Sequence, residues 1–238
     1  MVRLLSCVVV VVGISSCIGV SQKRAASGQA SPSLQTCPTG IALAADGLID
    51  DFEDENTQAT PLGGRDGFWW TKKDPVGSTL LPESFGPTEG GADGSEFAIH
   101  VYGKTAMGAD AWGAGFGVNF KARKGGLYDA SRYAGISFKA RVGAQSTRNI
   151  RFQLGDVNTH PDADVCKTCW NHFGKDFTFT TQWKEYRVLF SEASQRPGWG
   201  DPRPPSVDPT RLVAIDWSIS EGQTYDLWVD DVTFIGCR

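Results

Sequence analysis

Helical periodicity is nearly missing from this sequence of 238 residues. Its apolar residues recur at every second position in short runs, which argues against a helical bundle. No Gly-x-Ser-x-Gly elbow, His-Glu-x-x-His pair or phosphate-binding Walker loop is present, so an enzymatic reading has no nucleophile or metal motif to start from. No block of Lys or Arg stands out against a formal net charge of −4, and a basic footprint for nucleic acid is therefore lacking. There is no internal repeat and no second linker. The longest apolar stretch, Leu4 to Ile14, is too short to span a hydrocarbon core of about 30 Å.

That stretch follows the basic start Met1-Val2-Arg3 and reads as a secretory signal. It ends in Ile14-Ser15-Ser16-Cys17, which resembles a bacterial lipobox, where the cysteine becomes the lipidated first residue. The alternative is an ordinary signal cleaved nearby, leaving a soluble secreted protein. Ile18, not an Asp, follows Cys17, and by resemblance to Gram-negative lipoproteins this implies the outer membrane. The small polar residues after it form a tether. The expected organisation is a signal peptide and lipobox over 1–17, a tether over 18–36 and one domain over 37–238.

What the domain does contain is glycine (28), proline (12) and 11% aromatics, spread between short alternating segments. Phe97, Ile99 and Val101 share one face. So do Trp112, Ala114, Phe116, Val118 and Phe120; Ile136, Phe138, Ala140 and Val142; Ile150, Phe152 and Leu154; Tyr186, Val188 and Phe190; and Val213, Ile215, Trp217 and Ile219. Six stripes with one apolar face each need two packed sheets to bury them. The fold class is therefore all-β, a two-sheet antiparallel jelly-roll sandwich. Its ends carry matching runs, Leu48-Ile49-Asp50-Asp51-Phe52-Glu53-Asp54 and Asp226-Leu227-Trp228-Val229-Asp230-Asp231-Val232-Thr233-Phe234. If these pair, the termini are adjacent, and carboxylates gathered on neighbouring strands call for a hard cation such as Ca²⁺. A solvated acidic edge that discourages aggregation is the other reading.

Together with Gly64-Arg65-Asp66-Gly67-Phe68-Trp69-Trp70 and Tyr133-Ala134-Gly135-Ile136-Ser137-Phe138-Lys139-Ala140-Arg141, these end runs resemble jelly-roll carbohydrate-binding modules of the galactose-binding-like superfamily, nearest to the β-glucan-binding family 11 modules. The resemblance covers most of residues 37 to 237. It implies a structural Ca²⁺ held by Glu53 and by Asp230 or Asp231, and ligand on the concave sheet. The segment from Asn158 through Cys166, Cys169 and Asn171 to Gly174, and the run Gln195 to Gly200, depart from those modules.

The four cysteines that follow Cys17 are expected in an oxidising compartment, where disulfides are the default. Cys37 with Cys237 would bracket the fold. Cys166 and Cys169 fit a local disulfide or, with His160 and His172 flanking them, a zinc site; the compartment favours the bridge.

Alternation turns His100, Tyr102, Lys139, Arg141, Arg151, Gln153, Asp216 and Ser218 away from the core. On one shared sheet, His100, Tyr102, Arg151, Gln153 and Asp216 would make a polar trough, with Gly113, Gly115 and Gly117 leaving its floor open to a flat ligand. Trp112 and Trp217 are in phase with core stripes and belong there, whereas Trp70, Trp170 and Trp199 sit in Gly-rich or polar loops and are candidates to stack on a ligand.

The reading is a surface-anchored, non-catalytic binder of a β-linked polysaccharide or oligosaccharide. A glycan hydrolase or lyase on the same scaffold and an envelope assembly protein are the alternatives. A monomer is expected, with no nucleic acid and no membrane contact except through the lipid. Changing Cys17→Ala is expected to release the protein from the membrane fraction, and retention of the variant after a high-salt wash contradicts the lipobox.

Overall fold

The alternating stripes become strands in the computed structural model, which describes residues 40–237. The strands are β1 (Ile41–Asp50), β2 (Trp69–Lys73), β3 (Pro87–Glu89), β4 (Phe97–Lys104), β5 (Ala114–Asn119) and β6 (Gly135–Val142). They continue with β7 (Asn149–Asp156), β8 (Phe173–Thr178), β9 (Lys184–Leu189), β10 (Leu212–Ile219) and β11 (Thr224–Cys237). Among the described residues the only helical elements are three single 3₁₀ turns.

All strand pairs are antiparallel and form two sheets. The first runs β3-β4-β11-β6-β9 with β1 also on β11, and the second runs β2-β5-β10-β7-β8. This is the sandwich that six one-faced stripes require. Ile136, Phe138, Ala140, Ile150, Phe152, Leu154, Ile215 and Trp217 are all buried between the sheets. Trp217 is the centre of this packing: its ring lies 5.2 Å from Phe116, 5.1 Å from Phe138 and 5.2 Å from Phe152. Such aromatic pairs add to the stabilisation that burial alone supplies.

The fourteen-residue β11 is the spine of the first sheet. β6 follows one side of it, while the other side is shared: Thr224 to Val229 pair with β4, and Val232 to Cys237 pair with β1. The change of partner coincides with a break in register between Asp230 and Thr233, where Asp231 has φ 49°. Extra backbone at such a bulge re-aims a strand. The matching acidic runs do pair: Leu48 faces Thr233, Asp50 faces Val232 and Ile41 faces Cys237, so the two ends of the domain meet. Cys17 and Cys37 lie outside the described residues, and with them the lipidation site and the Cys37 half of the bridge expected with Cys237.

Asp50 ties the first sheet to the second. Its buried carboxylate accepts the Phe52 N–H at 2.9 Å and the Trp69 indole N–H at 2.7 Å, and Trp69 opens β2. Burial pushes its pKa up to about 7, against the lowering effect of those two donors. Between the unfolded value of 3.8 and that folded value the native state holds a proton that the unfolded chain has released. The contribution of Asp50 to stability is therefore fully present below the unfolded value of 3.8 and is lost progressively as pH rises from there to about 7. In Asp50→Asn this titration is absent, so the stability of the native protein relative to the variant is expected to fall by on the order of 2 kcal/mol between about pH 5 and pH 8. Urea unfolding midpoints of the two proteins measure it, and a difference that does not change with pH contradicts the assignment.

Candidate functional site

The outer face of the second sheet is built in cross-strand rows. Pairing aligns Trp70, Gly117, Asp216, Gln153 and Gly174 in one row, and Lys72, Gly115, Ser218, Arg151 and Asp176 in the next. The glycines give their neighbours room to lie across the sheet. A Cβ at Gly115 would stand 3.2 Å from the Lys72 side chain, and one at Gly117 would fall 2.6 Å from the Asp216 Cβ. Lys72 thereby reaches Asp216 at 2.9 Å, with its Nζ 5.4 Å from the centre of the Trp70 ring and 5.6 Å from that of Trp170.

These side chains face away from the core as alternation requires, yet Arg151, Gln153 and Asp216 are buried. Two loops cover them, residues 157–172 between β7 and β8 and residues 190–211 between β9 and β10. The loops are joined by backbone bonds between Thr168 and Asp201 in both directions. Asn171 anchors the second loop: its side chain donates to the carbonyls of Arg196 (2.9 Å) and Trp199 (2.6 Å) and accepts the Arg196 N–H (2.9 Å). Cys166 and Cys169 form a disulfide with an S–S distance of 2.03 Å, which takes away the thiolates that a zinc site would need. His160 and His172 are instead stacked on each other at 5.6 Å beneath the first loop. Burial holds both rings below the ordinary histidine pKa, with the charge of Lys72 adding to the effect at His172.

Between these loops and the sheet lies a cleft of about 600 Å³, lined by Lys72, Arg151, Gln153, Ser218 and Ser220 below and by Trp112, Cys169, Trp170, Asn171, Arg196 and Trp199 around it. Three indoles stand at its rim with much of their surface in solvent: Trp112 is 47% exposed, Trp170 50% and Trp199 43%. Large apolar rings left in water around a concavity mark a surface built to be covered. Trp170 also has φ 74°, a left-handed conformation that costs a non-glycine residue about 1–2 kcal/mol. The disulfide before it and the Asn171 bonds after it hold it there. On the floor, the Gln153 side chain, 9% exposed, lines the cleft, and no side chain or backbone group of the described residues bonds its amide, while the Arg151 Nε beside it is buried without a hydrogen-bond partner. An amide that lines an open cleft is free to meet a ligand there as both donor and acceptor.

The expected trough is therefore divided. Arg151, Gln153, Asp216, Trp70, Trp170 and Trp199 come together on the second sheet, but His100 and Tyr102 are on β4 in the first sheet and face the other side of the molecule. There His100 stacks on Trp228 at 3.8 Å and on Tyr102 at 5.0 Å, and Arg141 lies 4.2 Å from the Trp228 ring. Asp226 binds both the His100 ring and the Trp228 indole. Alternation gives the direction of a side chain relative to its own strand and not the sheet that the strand joins. Trp112 is corrected in the opposite sense: Gly113 has φ 112° and β5 begins only at Ala114, so the alternation does not extend back to Trp112, which projects to the cleft and not the core. Lys72 carried no signal in the sequence beyond its polarity, and Asn171 and Arg196 stood out only as members of the two runs that depart from the resembled modules.

No family model and no curated protein matches the chain. Solved structures do match. A family 11 carbohydrate-binding module from Clostridium thermocellum, in complex with a β-1,3-1,4-mixed-linked tetrasaccharide, superposes with a TM-score of 0.54 at 19% identity over 82% of this chain and 98% of that one. The solution structure of the C. thermocellum family 11 module gives a TM-score of 0.56 at 18% identity, covering 86% and 99%. A family 11 module of a cellulosomal cellulase of the same organism gives 0.52 at 17%, covering 84% and 96%. At such identities the likeness establishes a shared fold.

The carboxylates expected to bind calcium are differently occupied. Glu53 accepts the Ser95 hydroxyl at 2.7 Å and the N–H groups of Glu96 and Phe97 at 3.0 and 2.9 Å. Asp230 accepts the N–H groups of Ala92 and Asp231 at 2.8 and 2.7 Å, and Asp231 is paired with Lys139 at 2.8 Å. Among the described residues no three His, Cys, Asp or Glu side chains are placed to hold a metal ion. A ligand that binds only the native state raises its melting temperature. Melting curves with excess calcium and with chelator test the expected ion at Glu53 and Asp230: a calcium-dependent rise supports it, and coincident curves contradict it.

Proposed function

We propose that this protein binds a glycan in the cleft of the second sheet without cleaving it, and that it does so while anchored to the cell surface, at the outer membrane, through lipid on Cys17. The observation that carries the binding reading is the cleft itself: three half-exposed tryptophans around a polar floor in which the Gln153 amide is free for a ligand. A sugar ring presents a flat face of C–H groups that an indole can cover, and an edge of hydroxyls that an amide can meet as donor and acceptor. The cleft is open at the surface, which suits an internal stretch of a chain. That the fold is shared with a module solved with a mixed-linkage tetrasaccharide supports the same reading.

Where the carboxylates lie supports binding without hydrolysis. Glycoside hydrolysis ordinarily needs two of them flanking the bond. None lines this cleft, and Asp216 beneath it is 1% exposed and paired with Lys72. Each hydroxyl exchanges a water hydrogen bond for a protein one at a net gain of only about 1 kcal/mol, so ring stacking should dominate the affinity. Calorimetric titration with a panel of soluble glycans is expected to show binding, with Trp170→Ala and Trp199→Ala each weakening it about tenfold or more and Tyr102→Ala leaving it unchanged. Loss of binding in Tyr102→Ala alone would move the site to the other face, and release of product on prolonged incubation would replace binding by catalysis.

A further inference from the structure

The polar lining of the cleft is one-sided. The chain as a whole is acidic at −4, yet Lys72, Arg151 and Arg196 line the cleft and neither Asp nor Glu does. Two carboxylates lie within reach of these cations. Asp216 takes Lys72, and Asp176 is divided between Arg151 at 3.0 Å and Arg196 at 2.9 Å. Three cations thus share two carboxylates, and the sum over the cleft is one positive charge. The donors are in surplus too. Arg196 is half-exposed and spends a single N–H on Asp176, and Lys72 spends one on Asp216.

We propose that the ligand of this cleft is an acidic glycan whose sugars carry carboxylate groups, a uronic-acid polymer. This rests on the glycan-binding reading above and adds to it. A neutral sugar hydroxyl both donates and accepts, and a site that suits it offers acceptors as freely as donors. Here the acceptors among the side chains are Gln153 and the hydroxyls of Ser218 and Ser220, while the charged groups can only donate. A carboxylate only accepts, its two oxygens match the planar fork of a guanidinium, and it would offset the uncompensated charge. Indole walls lower the local dielectric and increase the weight of that charge. The uronate ring keeps the flat C–H face that Trp170 and Trp199 would cover, so stacking and charge act on the same sugar.

Titration of the full chain with galacturonate oligomers and with neutral β-glucan, xylan and mannan oligomers, at low and high salt, decides the matter. Galacturonate is expected to bind on the order of tenfold more tightly than any neutral glycan, with the advantage shrinking as salt rises. Arg196→Gln, an exposed change, should lose about tenfold for galacturonate and markedly less for neutral glycans at an unchanged melting temperature, and Arg196→Lys should recover part of the loss. Neutral glycans bound as tightly as galacturonate would overturn the acidic ligand and leave glycan binding standing. A sulfated glycan bound as tightly as galacturonate would overturn the carboxylate assignment, since charge alone would then suffice. Failure of every glycan to bind would overturn both readings.

Discussion

The side chain of Asn171 is what turns a sheet surface into a cleft. It is buried at the end of one loop and makes three hydrogen bonds to the backbone of the other, at Arg196 and Trp199, while its own carbonyl accepts the Gln195 amide at 2.8 Å. Backbone groups in a loop need partners, and here one amide supplies three of them at Arg196 and Trp199. With those bonds the walls stand over Arg151, Gln153 and Asp216, Trp199 is held at the rim, and Trp170 stays in its left-handed conformation next door. Without them the outer face of the second sheet would be an open surface like that of the first.

The contrast between the two faces supports this. On the first sheet His100, Trp228, Tyr102 and Arg141 stack on one another, and Asp226 answers the two ring N–H groups, so the polar and aromatic groups there satisfy each other. On the second sheet the indoles stand apart, and Gln153 has no partner. A completed set of contacts describes a finished surface, and an incomplete one, walled and buried, describes a place for something else. The same sandwich therefore carries an aromatic patch that stabilises the fold and an aromatic cleft that is left to be filled.

Much of the fold was legible in the sequence because a strand buried on one face records its own period. The stripes at Ile136, Ile150 and Val213 and the pairing of the two acidic runs rest on local alternation and became β6, β7, β10 and the β1 and β11 pair. The site was legible only in part. Alternation turned Arg151, Gln153 and Asp216 outward correctly, and the polar context of Trp170 and Trp199 marked them as unexplained by packing. What it could not convey is long-range pairing, which put His100 and Tyr102 on the opposite face, or a change of direction at a single glycine, which took Trp112 out of the core. The role of Asn171 depends on a loop more than twenty residues further on, and no local pattern records that.

The central claim is that ligand lies in the cleft of the second sheet and not on the aromatic patch of the first. Nuclear magnetic resonance of the indole N–H groups tests it most directly, because the tryptophans are divided between the two places. On titration with a glycan that binds, the Trp112, Trp170 and Trp199 resonances are expected to shift together while that of Trp228, fixed to Asp226 at 3.1 Å, stays in place. A shift of Trp228 with the three rim indoles unmoved would contradict the account.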